Sequence, residues 1–309
     1  MNGFAQGTTW QVTYYATDSL VTKGQVDSLL SVIDSSLSIY KSYSLISRFN
    51  QAESSINMDD HMTRVINKSI ETYRQTEGIF DITVQPLVQA WGFGPKKIDK
   101  LPDSATIRSL KQCVDTRFLS VSGHTLTKTK PCVKIDVNGI AQGYSVDVLA
   151  AFLDKQHLAD YIVEIGGEIR VRGRRQPGKE KMKIGIEAPG EDEFQLSLLQ
   201  KIISIDSGAI TTSGSYRKFY ESAGKKISHI IDPRTGYSSQ SELISVTVYA
   251  PDAITADAYD NALMVMGVQK SLAFIEQRKD MAAYLIYRKP DGKIADTASS
   301  RFYTFIKEH

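Results

Sequence analysis

Helical and strand patterns follow one another irregularly along this chain, and that irregular order restricts its fold more than any other feature. Gln25–Tyr40 and Gly143–Leu158 carry apolar residues at the spacing of an amphipathic helix. Tyr161–Ile165 and Glu168–Arg172 have the composition of strands. The chain lacks the regular strand–helix–strand repeat that a doubly wound parallel sheet requires. The pattern therefore predicts an α+β fold.

The spacing of apolar residues along helices and strands predicts further elements. Asp59–Tyr73 places its apolar residues on one side of a helix, and Leu243–Ala250 alternates apolar and polar residues as a strand does. The polar stretch YKSYSLISRFNQAESS, which starts at Tyr40, is expected to be a loop, and Lys289–Gly292 a hairpin turn. Additional strands are expected at Gly7–Ala16, Ile202–Ile205, Met281–Tyr287 and Arg301–Ile306.

The composition and the motifs exclude several classes of protein. The 309 residues include 37 Lys and Arg against 35 Asp and Glu, and the formal charge of +2 argues against a strongly basic nucleic-acid-binding protein. No apolar run is long enough to span a bilayer, and the first residues, MNGFAQGTTW, show no signal-peptide pattern. Walker and GxGxxG loops are absent, so any nucleotide is bound in another way. Cys113 and Cys132 are expected to be free or buried thiols, with pairing in an oxidising compartment as the alternative.

The segment Ala256–Gly267, ADAYDNALMVMG, contains a candidate metal site. Asp257, Asp260 and Asn261 stand at i, i+3 and i+4, a spacing that brings side chains together on one face of a helix. Two carboxylates and an amide carbonyl are hard oxygen ligands, which suit Mg²⁺ or Ca²⁺ better than zinc. The alternative is an acidic helix start without a ligand, because the helix dipole favours aspartate there.

Upstream, the segment Ser228–Gly236, SHIIDPRTG, predicts a turn next to a cleft. Asp232-Pro233 and the final glycine have the chemistry of a turn, and His229 stands just before it. A histidine titrates near neutral pH, so His229 is a candidate general base. The alternative is a structural histidine that caps the Asp-Pro turn.

Two other segments are candidates for phosphate binding. Asp136–Gly143, DVNGIAQG, joins a strand to a helix; its glycines permit close backbone approach, and a helix start attracts phosphate. Thr211–Phe219, TTSGSYRKF, combines four Ser and Thr hydroxyls with Arg217. A capped tight turn and a plain polar loop are the respective alternatives.

Taken together, these segments resemble the FAD:protein FMN transferase family, the ApbE-type flavin transferases. The resemblance extends from about Gly7 to Gly267 and implies one transferase domain over 1–309. It also implies a two-lobed α+β architecture of the ApbE type, mixed in helix and sheet, with the active site between the lobes. Besides SHIIDPRTG and ADAYDNALMVMG, the matching motifs are QGTTWQVTYYA, LSIYKSYSLISRFN, GIFDITVQPLVQAWGFGP, KIDVNGIAQGYSVD, VEIGGEIRVRG and TTSGSYRKF.

The resemblance implies a reaction and its setting. Proteins similar to this one move the FMN half of FAD onto a Thr or Ser hydroxyl of an acceptor protein and release AMP. We therefore expect FAD as substrate, Mg²⁺ as cofactor and no nucleic-acid partner. The expected partner is an acceptor flavoprotein with a Thr/Ser flavinylation motif, for example a subunit of a membrane redox pump. The expected location is the periplasmic side of the bacterial cell envelope, as a lipoprotein in the full-length form.

The resemblance also assigns residues to the site. Asp257, Asp260, Asn261 and the backbone carbonyl of Gly139 would hold the metal. His229 would accept the proton of the acceptor hydroxyl, with Asp260 as the alternative base. The family often has Lys at the position of Gln142 and Thr at that of Asn261. The residues implied to contact FAD are Gln6, Tyr40, Ile79, Phe80, Asp81, Asp136, Gln142 and Ile231.

Two other functions are compatible with the same site. With water in place of the hydroxyl, the protein would be an FAD pyrophosphatase that yields FMN and AMP. Without turnover, it would be a non-catalytic FAD-binding protein.

Overall fold

The alternating segments of the sequence pair into antiparallel sheets in the computed structural model, which describes residues 1–187, 199–215, 219–222 and 225–306. The strands are β1 (Asn2–Ala5), β2 (Thr8–Tyr14), β3 (Ser55–Asn57), β4 (Leu119–Ser122), β5 (Thr125–Lys128), β6 (Tyr161–Ile165), β7 (Glu168–Arg172), β8 (Met182–Glu187), β9 (Leu199–Ile205), β10 (Ser207–Gly214), β11 (Phe219–Ser222), β12 (Lys225–Ser228), β13 (Leu243–Ala250), β14 (Ala282–Arg288) and β15 (Ile294–Ala298). The helices are α1 (Lys23–Leu37), α2 (Leu45–Gln51), α3 (Asp60–Gln75), α4 (Gln85–Ala90), α5 (Ser104–Lys111), α6 (Ala141–Lys155), α7 (Ala253–Met266), α8 (Val268–Glu276) and α9 (Ser300–Tyr303). The expected α+β class is confirmed.

The chain divides into two units. The first comprises Met1–Asp27, Gln142–Arg217 and Ser241–His309, and the second comprises Ser28–Ala141 and Lys218–Gln240. Each has buried hydrophobic residues of its own. The single transferase domain over 1–309 stays a prediction.

In the first unit, the described strands form an eight-stranded antiparallel sheet in the order β1-β2-β6-β7-β10-β13-β14-β15. Helix α7 packs against β10 and β13. Because side chains alternate along a strand, Thr211 and Ser213 of β10 share one face, and Ser213 reaches α7. Ile210 has the opposite parity and joins a hydrophobic cluster with the β8–β9 hairpin. Strand β10 thus contributes the hydroxyls of Thr211 and Ser213 to one face and Ile210 to the face that packs against the hairpin.

In the second unit, β3, β5 and β4 form a three-stranded antiparallel sheet, and β11 pairs with β12. Its hydrophobic cluster includes Leu87, Trp91, Ile107 and Ile231. The Trp91 indole donates a hydrogen bond to the carbonyl of Gly236 at 2.8 Å. Trp91 is therefore a core residue that holds the turn after β12.

The predicted strand Arg301–Ile306 is wrong. Helix α9 occupies its first half, and Phe302 and Phe305 pack against each other with ring centroids 6.0 Å apart. A spacing of three puts two side chains on the same side of a helical turn but on opposite faces of a strand. Phe302 also stacks on Tyr284, and Phe305 packs against Tyr249 with the two rings tilted. The aromatic spacing therefore favours the helical turn.

The predicted loop in YKSYSLISRFNQAESS is also wrong, since it contains α2 and β3. Ser44 caps α2 by accepting a hydrogen bond from the Ser47 amide at 3.1 Å. Ile46 and Phe49, three residues apart, are completely buried. Seven residues are too few for the apolar period to stand out from the polar background.

The cysteines are a third correction. Cys113 and Cys132 form a disulfide, with Cα atoms 5.6 Å apart, within the usual range for such bonds. The free thiols that we favoured from the sequence are wrong, because spacing along a chain does not show which cysteines meet. Among the described residues, none of the helices combines the length and apolar character needed to cross a membrane.

Candidate active site

The two aspartates of the predicted metal site lie in the second turn of α7. Asp252 caps this helix by accepting a hydrogen bond from the Thr255 amide at 3.0 Å, so the helix begins at Ala253. Our alternative of an acidic helix start is therefore wrong. Asp257 is 3% exposed and Asp260 is 1% exposed. A carboxylate in the second turn of a helix gains little from the helix dipole, so the dipole does not offset the cost of burying these two. Their burial needs another explanation.

The predicted spacing brings the three side chains together. The Asn261 amide nitrogen donates to a carboxyl oxygen of Asp260 at 2.9 Å and to the backbone carbonyl of Asp257 at 3.0 Å. The amide oxygen accepts a hydrogen bond from the Ser213 hydroxyl at 3.4 Å. Asn261 thus turns its nitrogen toward the aspartates, and its oxygen could bind a metal only after the amide rotates.

The start of α6 is fixed against this cluster. The Gly143 amide donates to the second carboxyl oxygen of Asp257 at 2.8 Å. In return, Asp147 of α6 accepts hydrogen bonds from the first amides of α7, those of Ala253 and Ile254, at 3.0 and 2.8 Å. Arg170 pairs with Asp147 at 2.7 Å. The hydrogen bonds between α6 and α7 join residues more than 100 positions apart, so local sequence patterns could not indicate them.

Burial raises the pKa of both aspartates. For Asp260 the charge of Asp257 adds to this effect, while the Thr211 hydroxyl partly offsets it. For Asp257 the Gly143 amide opposes the rise, and Asp147 adds to it. Two carboxylates that share one buried site are stabilised by a cation. The two carboxyls have the donor chemistry that suits a hard divalent ion.

The carboxylate part of this donor set is limited to two residues. Within the described ranges, no group of three or more His, Cys, Asp or Glu is placed to hold a metal. The remaining ligands of an ion on Asp257 and Asp260 would have to be amide, backbone, substrate or water oxygens. This composition is typical of Mg²⁺, which keeps several waters and substrate phosphates.

Gln142 and Gln6 lie near the start of α6, in the first unit. The Gln142 amide donates to the carbonyl of Ile165 and to the carboxylate of Glu168, both at 2.7 Å. Gln6, at the β1–β2 turn, donates to the Ser145 hydroxyl at 2.9 Å. Glu168, which also raises the pKa of Asp260, is a residue that our sequence analysis missed. Its position after the paired glycines of the β6–β7 turn was the only available signal.

In the second unit, Tyr40 lies near Asp136. Asp136 accepts a hydrogen bond from the Asn138 amide at 2.9 Å and donates its own amide to the carbonyl of Ile82 at 2.8 Å. Burial raises the pKa of Tyr40, and the Asp136 charge adds to the rise. Its side chain is nevertheless 59% exposed, so an aromatic surface is available beside the Asp136–Gly139 turn.

The Asp81 carboxyl has four hydrogen-bond donors of the protein itself. It accepts from the amide and hydroxyl of Thr83 at 2.8 and 2.6 Å, and from the amide and hydroxyl of Thr116 at 3.1 and 2.8 Å. Burial raises its pKa, and these hydrogen bonds counteract the rise. Asp81 therefore fixes the segment that carries Ile79 and Phe80.

His229 lies at the end of β12, half-buried, with its ring against Phe93 in a T-shaped contact at 6.2 Å. The turn after it is held by Asp232, which pairs with Arg234 at 2.9 Å and accepts the Gly236 amide at its carbonyl at 2.8 Å. Asp232 thus holds this turn through its own side chain and carbonyl. Ile231 is buried in the core of the second unit.

The Thr211–Phe219 segment is only partly described. Thr211 is buried on the face of β10 that Ser213 shares, and the Ser215 hydroxyl donates to the Ile244 carbonyl at 3.3 Å. Arg217, the cation of the predicted phosphate-binding turn, lies outside the described residues.

Comparison with known proteins shows which family the chain belongs to. The ApbE family model matches residues 6–285. The chain belongs to the ApbE family. Among its relatives, the FAD:protein FMN transferase of Vibrio cholerae is 36% identical, with 100% of this chain and 92% of the relative covered. The FAD:protein FMN transferase of Haemophilus influenzae is 34% identical, with 97% and 89% covered.

Solved structures of ApbE proteins have the same fold. Flavin transferase ApbE from Vibrio cholerae superposes with a TM-score of 0.88 at 34% identity, covering 99% of this chain and 98% of that one. The apo form of Pseudomonas stutzeri flavinyl transferase ApbE also gives 0.88, at 31% identity and with 100% and 96% covered. The resemblance inferred from the motifs and the α+β ApbE-type fold are both confirmed.

Proposed function

We propose that this chain transfers the FMN half of FAD onto a Thr or Ser hydroxyl of an acceptor flavoprotein. The observation that carries the proposal is the buried Asp257–Asp260–Asn261 cluster, tied through Gly143 to the start of α6 in a chain of the ApbE family. In the reaction, the hydroxyl oxygen bonds to the FMN phosphorus and the pyrophosphate bond breaks. FMN remains on the acceptor as a phosphoester. The bridging oxygen of the pyrophosphate leaves as part of AMP.

Mg²⁺ is the metal that we assign to the cluster. Asp257 and Asp260 would hold it, with the Asn261 oxygen after rotation of the amide and the Gly139 carbonyl that the family resemblance implies. The burial of both carboxyls and their hard oxygen donors support this assignment. When bound, the ion neutralises negative charge on the pyrophosphate and on the departing AMP.

We assign the FAD contacts to the residues that the family resemblance implies. In the second unit, Tyr40 offers an aromatic face beside Asp136, Asp81 fixes Ile79 and Phe80, and Ile231 lies in the neighbouring core. In the first unit, Gln142 and Gln6 present amide groups close to the start of α6. Gln142, Gln6 and Asp81 are already held by hydrogen bonds to the protein, which reduces the entropy lost on binding.

His229 is the residue that we assign to removal of the proton from the acceptor hydroxyl. It is half-buried, held at one ring edge by Phe93, and follows a strand that fixes its backbone. We expect His229→Ala to lower the transfer rate by about 10²–10⁴-fold with little effect on FAD binding, as for other general bases. Single-turnover kinetics at saturating FAD measure this effect, and an unchanged rate would assign the proton transfer elsewhere.

The deciding experiment is intact-mass spectrometry of an acceptor domain with a flavinylation motif, incubated with the protein, FAD and Mg²⁺. A mass increase equal to FMN, absent with EDTA and absent when the acceptor Thr is replaced by Val, supports transfer. Free FMN and AMP without an adduct would support a pyrophosphatase instead. FAD bound without release of AMP, with an acceptor that a related transferase modifies, would mean a non-catalytic binding protein.

We also propose the periplasmic side of the cell envelope as the location. The Cys113–Cys132 disulfide supports it, because disulfides persist in oxidising compartments and are rare in the cytosol. Alkylation of protein extracted from cells under acid quench tests the proposal. Two alkylated cysteines would argue against it.

A further inference from the structure

Residues 131–135 form an irregular segment that leads directly into Asp136. The segment follows β5 and contains Cys132, whose disulfide to Cys113 attaches it to the residues after α5. Because it lacks a helical or strand ladder, its backbone groups need other hydrogen-bond partners. Besides one backbone hydrogen bond, from the Val133 amide to the Lys130 carbonyl at 3.1 Å, those partners are two side chains.

Lys128, the last residue of β5, supplies one set of bonds. Its side chain is buried, with 3% exposure, and its ammonium donates to the carbonyls of Pro131 at 3.1 Å, Val133 at 2.9 Å and Phe49 at 3.2 Å. An ammonium group has three N–H donors, so all of them are used. The carbonyls of Pro131 and Val133 flank Cys132, and the Phe49 carbonyl lies in the last turn of α2, where a cation is favoured.

Asn50, the next residue of α2, supplies the second set. Its amide nitrogen donates to the carbonyl of Ile135 at 2.8 Å, and its amide oxygen accepts the Ile135 amide at 2.7 Å. The following amide, that of Asp136, donates to the carbonyl of Ile82 at 2.8 Å. The segment is thus fixed at every second residue up to the Asp136–Gly139 turn.

The free-energy cost of burying the Lys128 ammonium indicates that this side chain does more than fill space. Burying an ammonium without a carboxylate partner is unfavourable, and burial lowers the pKa of Lys128, an effect that nearby Lys134 increases. In the described part of the chain, backbone carbonyls rather than a carboxylate compensate this charge. A buried cation is therefore used here to define the path of one loop.

We propose that Lys128 is a positioning residue for FAD, which it serves by fixing segment 131–135 and hence the Asp136–Gly139 turn, with Asn50 as its partner. The inference rests on the proposed function, which places Asp136 and Gly139 in the FAD and metal site. Neither Lys128 nor Asn50 needs to touch FAD in this role.

The test compares four variants of the full chain, each checked for an intact disulfide by mass. Lys128→Met and Asn50→Ala remove the two sets of bonds independently. Lys130→Met is the matched control, since its ammonium donates to a carbonyl outside the segment, that of Gln112, at 2.9 Å. Asp136→Ala removes the proposed FAD contact itself. For each variant, FAD dissociation constants are measured by flavin fluorescence well below the melting temperature, and KM is measured for FAD and for the acceptor.

We expect Lys128→Met and Asn50→Ala each to weaken FAD binding about tenfold, the loss typical of hydrogen bonds that involve charged or buried groups. The KM of the acceptor and the FAD affinity of Lys130→Met should change less than about twofold. A purely structural role would lower the melting temperature of both variants and leave the FAD affinity of the folded protein unchanged, which would overturn the inference. Asp136→Ala distinguishes failure of this inference from failure of the proposed function. Unchanged FAD binding in Asp136→Ala contradicts the proposed function at this turn, whatever the result for Lys128→Met.

Discussion

At the scale of single residues, the aspartates of α7 make a direct prediction about metal binding. Asp257 and Asp260 are buried next to each other, so the metal-free protein disfavours their charged forms, which a divalent ion would stabilise. We expect Mg²⁺ at about 100 times its Kd to stabilise the parent protein by roughly 2.7 kcal/mol, as linkage requires. In Asp260→Asn the stabilisation should disappear. Thermal unfolding with and without Mg²⁺ measures both.

Asp252→Asn provides the control for this prediction, because Asp252 lies on the same helix but caps its N-terminus. It should change stability little, because Asn caps a helix about as well as Asp, and it should keep the full response to Mg²⁺. An equal Mg²⁺ response in the parent and in Asp260→Asn would place the metal elsewhere.

Glu164 of β6 makes a prediction about pH. Burial raises its pKa above the ordinary 4.5, and the charge of Glu187 adds to the rise. The folded state therefore keeps this proton to higher pH than the unfolded chain does. The contribution of the group to stability is complete below pH 4.5 and is lost as pH rises through the raised folded value.

Replacing Glu164 by Gln should thus stabilise the protein at pH 7.5 by about 0.5 kcal/mol, or roughly 1–2 °C in melting temperature for a protein of this size. At about pH 4 the gain should vanish, because both states then carry a neutral side chain. Glu187→Gln should give a smaller gain with the same pH dependence. A gain of equal size at both pH values would show that charge is not its cause.

At the scale of secondary-structure elements, the contact between α6 and α7 depends on the absence of a side chain at Gly143. A methyl group there would overlap the carbonyl of Ala253 and lie 2.7 Å from the Cβ of Asp257. Gly143→Ala should therefore cost about 1–3 kcal/mol, as overpacking does, and should weaken the Mg²⁺ response by moving Asp257. Urea unfolding and the thermal shift with Mg²⁺ measure these two effects.

Gly24→Ala is the matched control for Gly143→Ala. Gly24 lies in α1, and no atom outside its neighbours lies within 4 Å of a Cβ added there. The substitution should stabilise the protein by about 0.5–1 kcal/mol, the difference in helix propensity between Ala and Gly. If both variants are destabilised, the loss of stability comes from the backbone conformation at the glycine rather than from the α6–α7 contact.

The elements also show which parts of the structure were readable from the sequence. Strand β13 was predicted with its observed bounds, because eight residues of period two are unambiguous. Helices α2 and α9 were missed, since each is too short for a helical period to appear. The i, i+3, i+4 cluster on α7 was predictable as local geometry. The Gly143–Asp257 hydrogen bond and the role of Glu168 depend on pairing of distant segments, about which local periods say nothing.

At the scale of the whole molecule, the two units differ in how they are stabilised. The first has an eight-stranded sheet with an extensive hydrophobic cluster, and the second has smaller sheets and a disulfide. Small cores depend more on covalent links than large ones do. We therefore expect the disulfide to matter most for the second unit, although Cys113 and Cys132 are separated by only 19 residues.

Loss of this bond should destabilise the protein by about 3 kcal/mol, the value that chain entropy gives for a closed loop of this length. Replacing both cysteines by serine, or adding a reductant to the parent, should produce the same loss in urea unfolding. Trp91, in the core of the second unit, should report the loss by fluorescence, while Trp10 lies in the first unit. Single Trp→Phe variants then assign the change: a loss confined to the Trp10 signal would contradict the prediction. A reductant effect in the serine variant would show that the effect has another cause, because no bond remains there to be reduced.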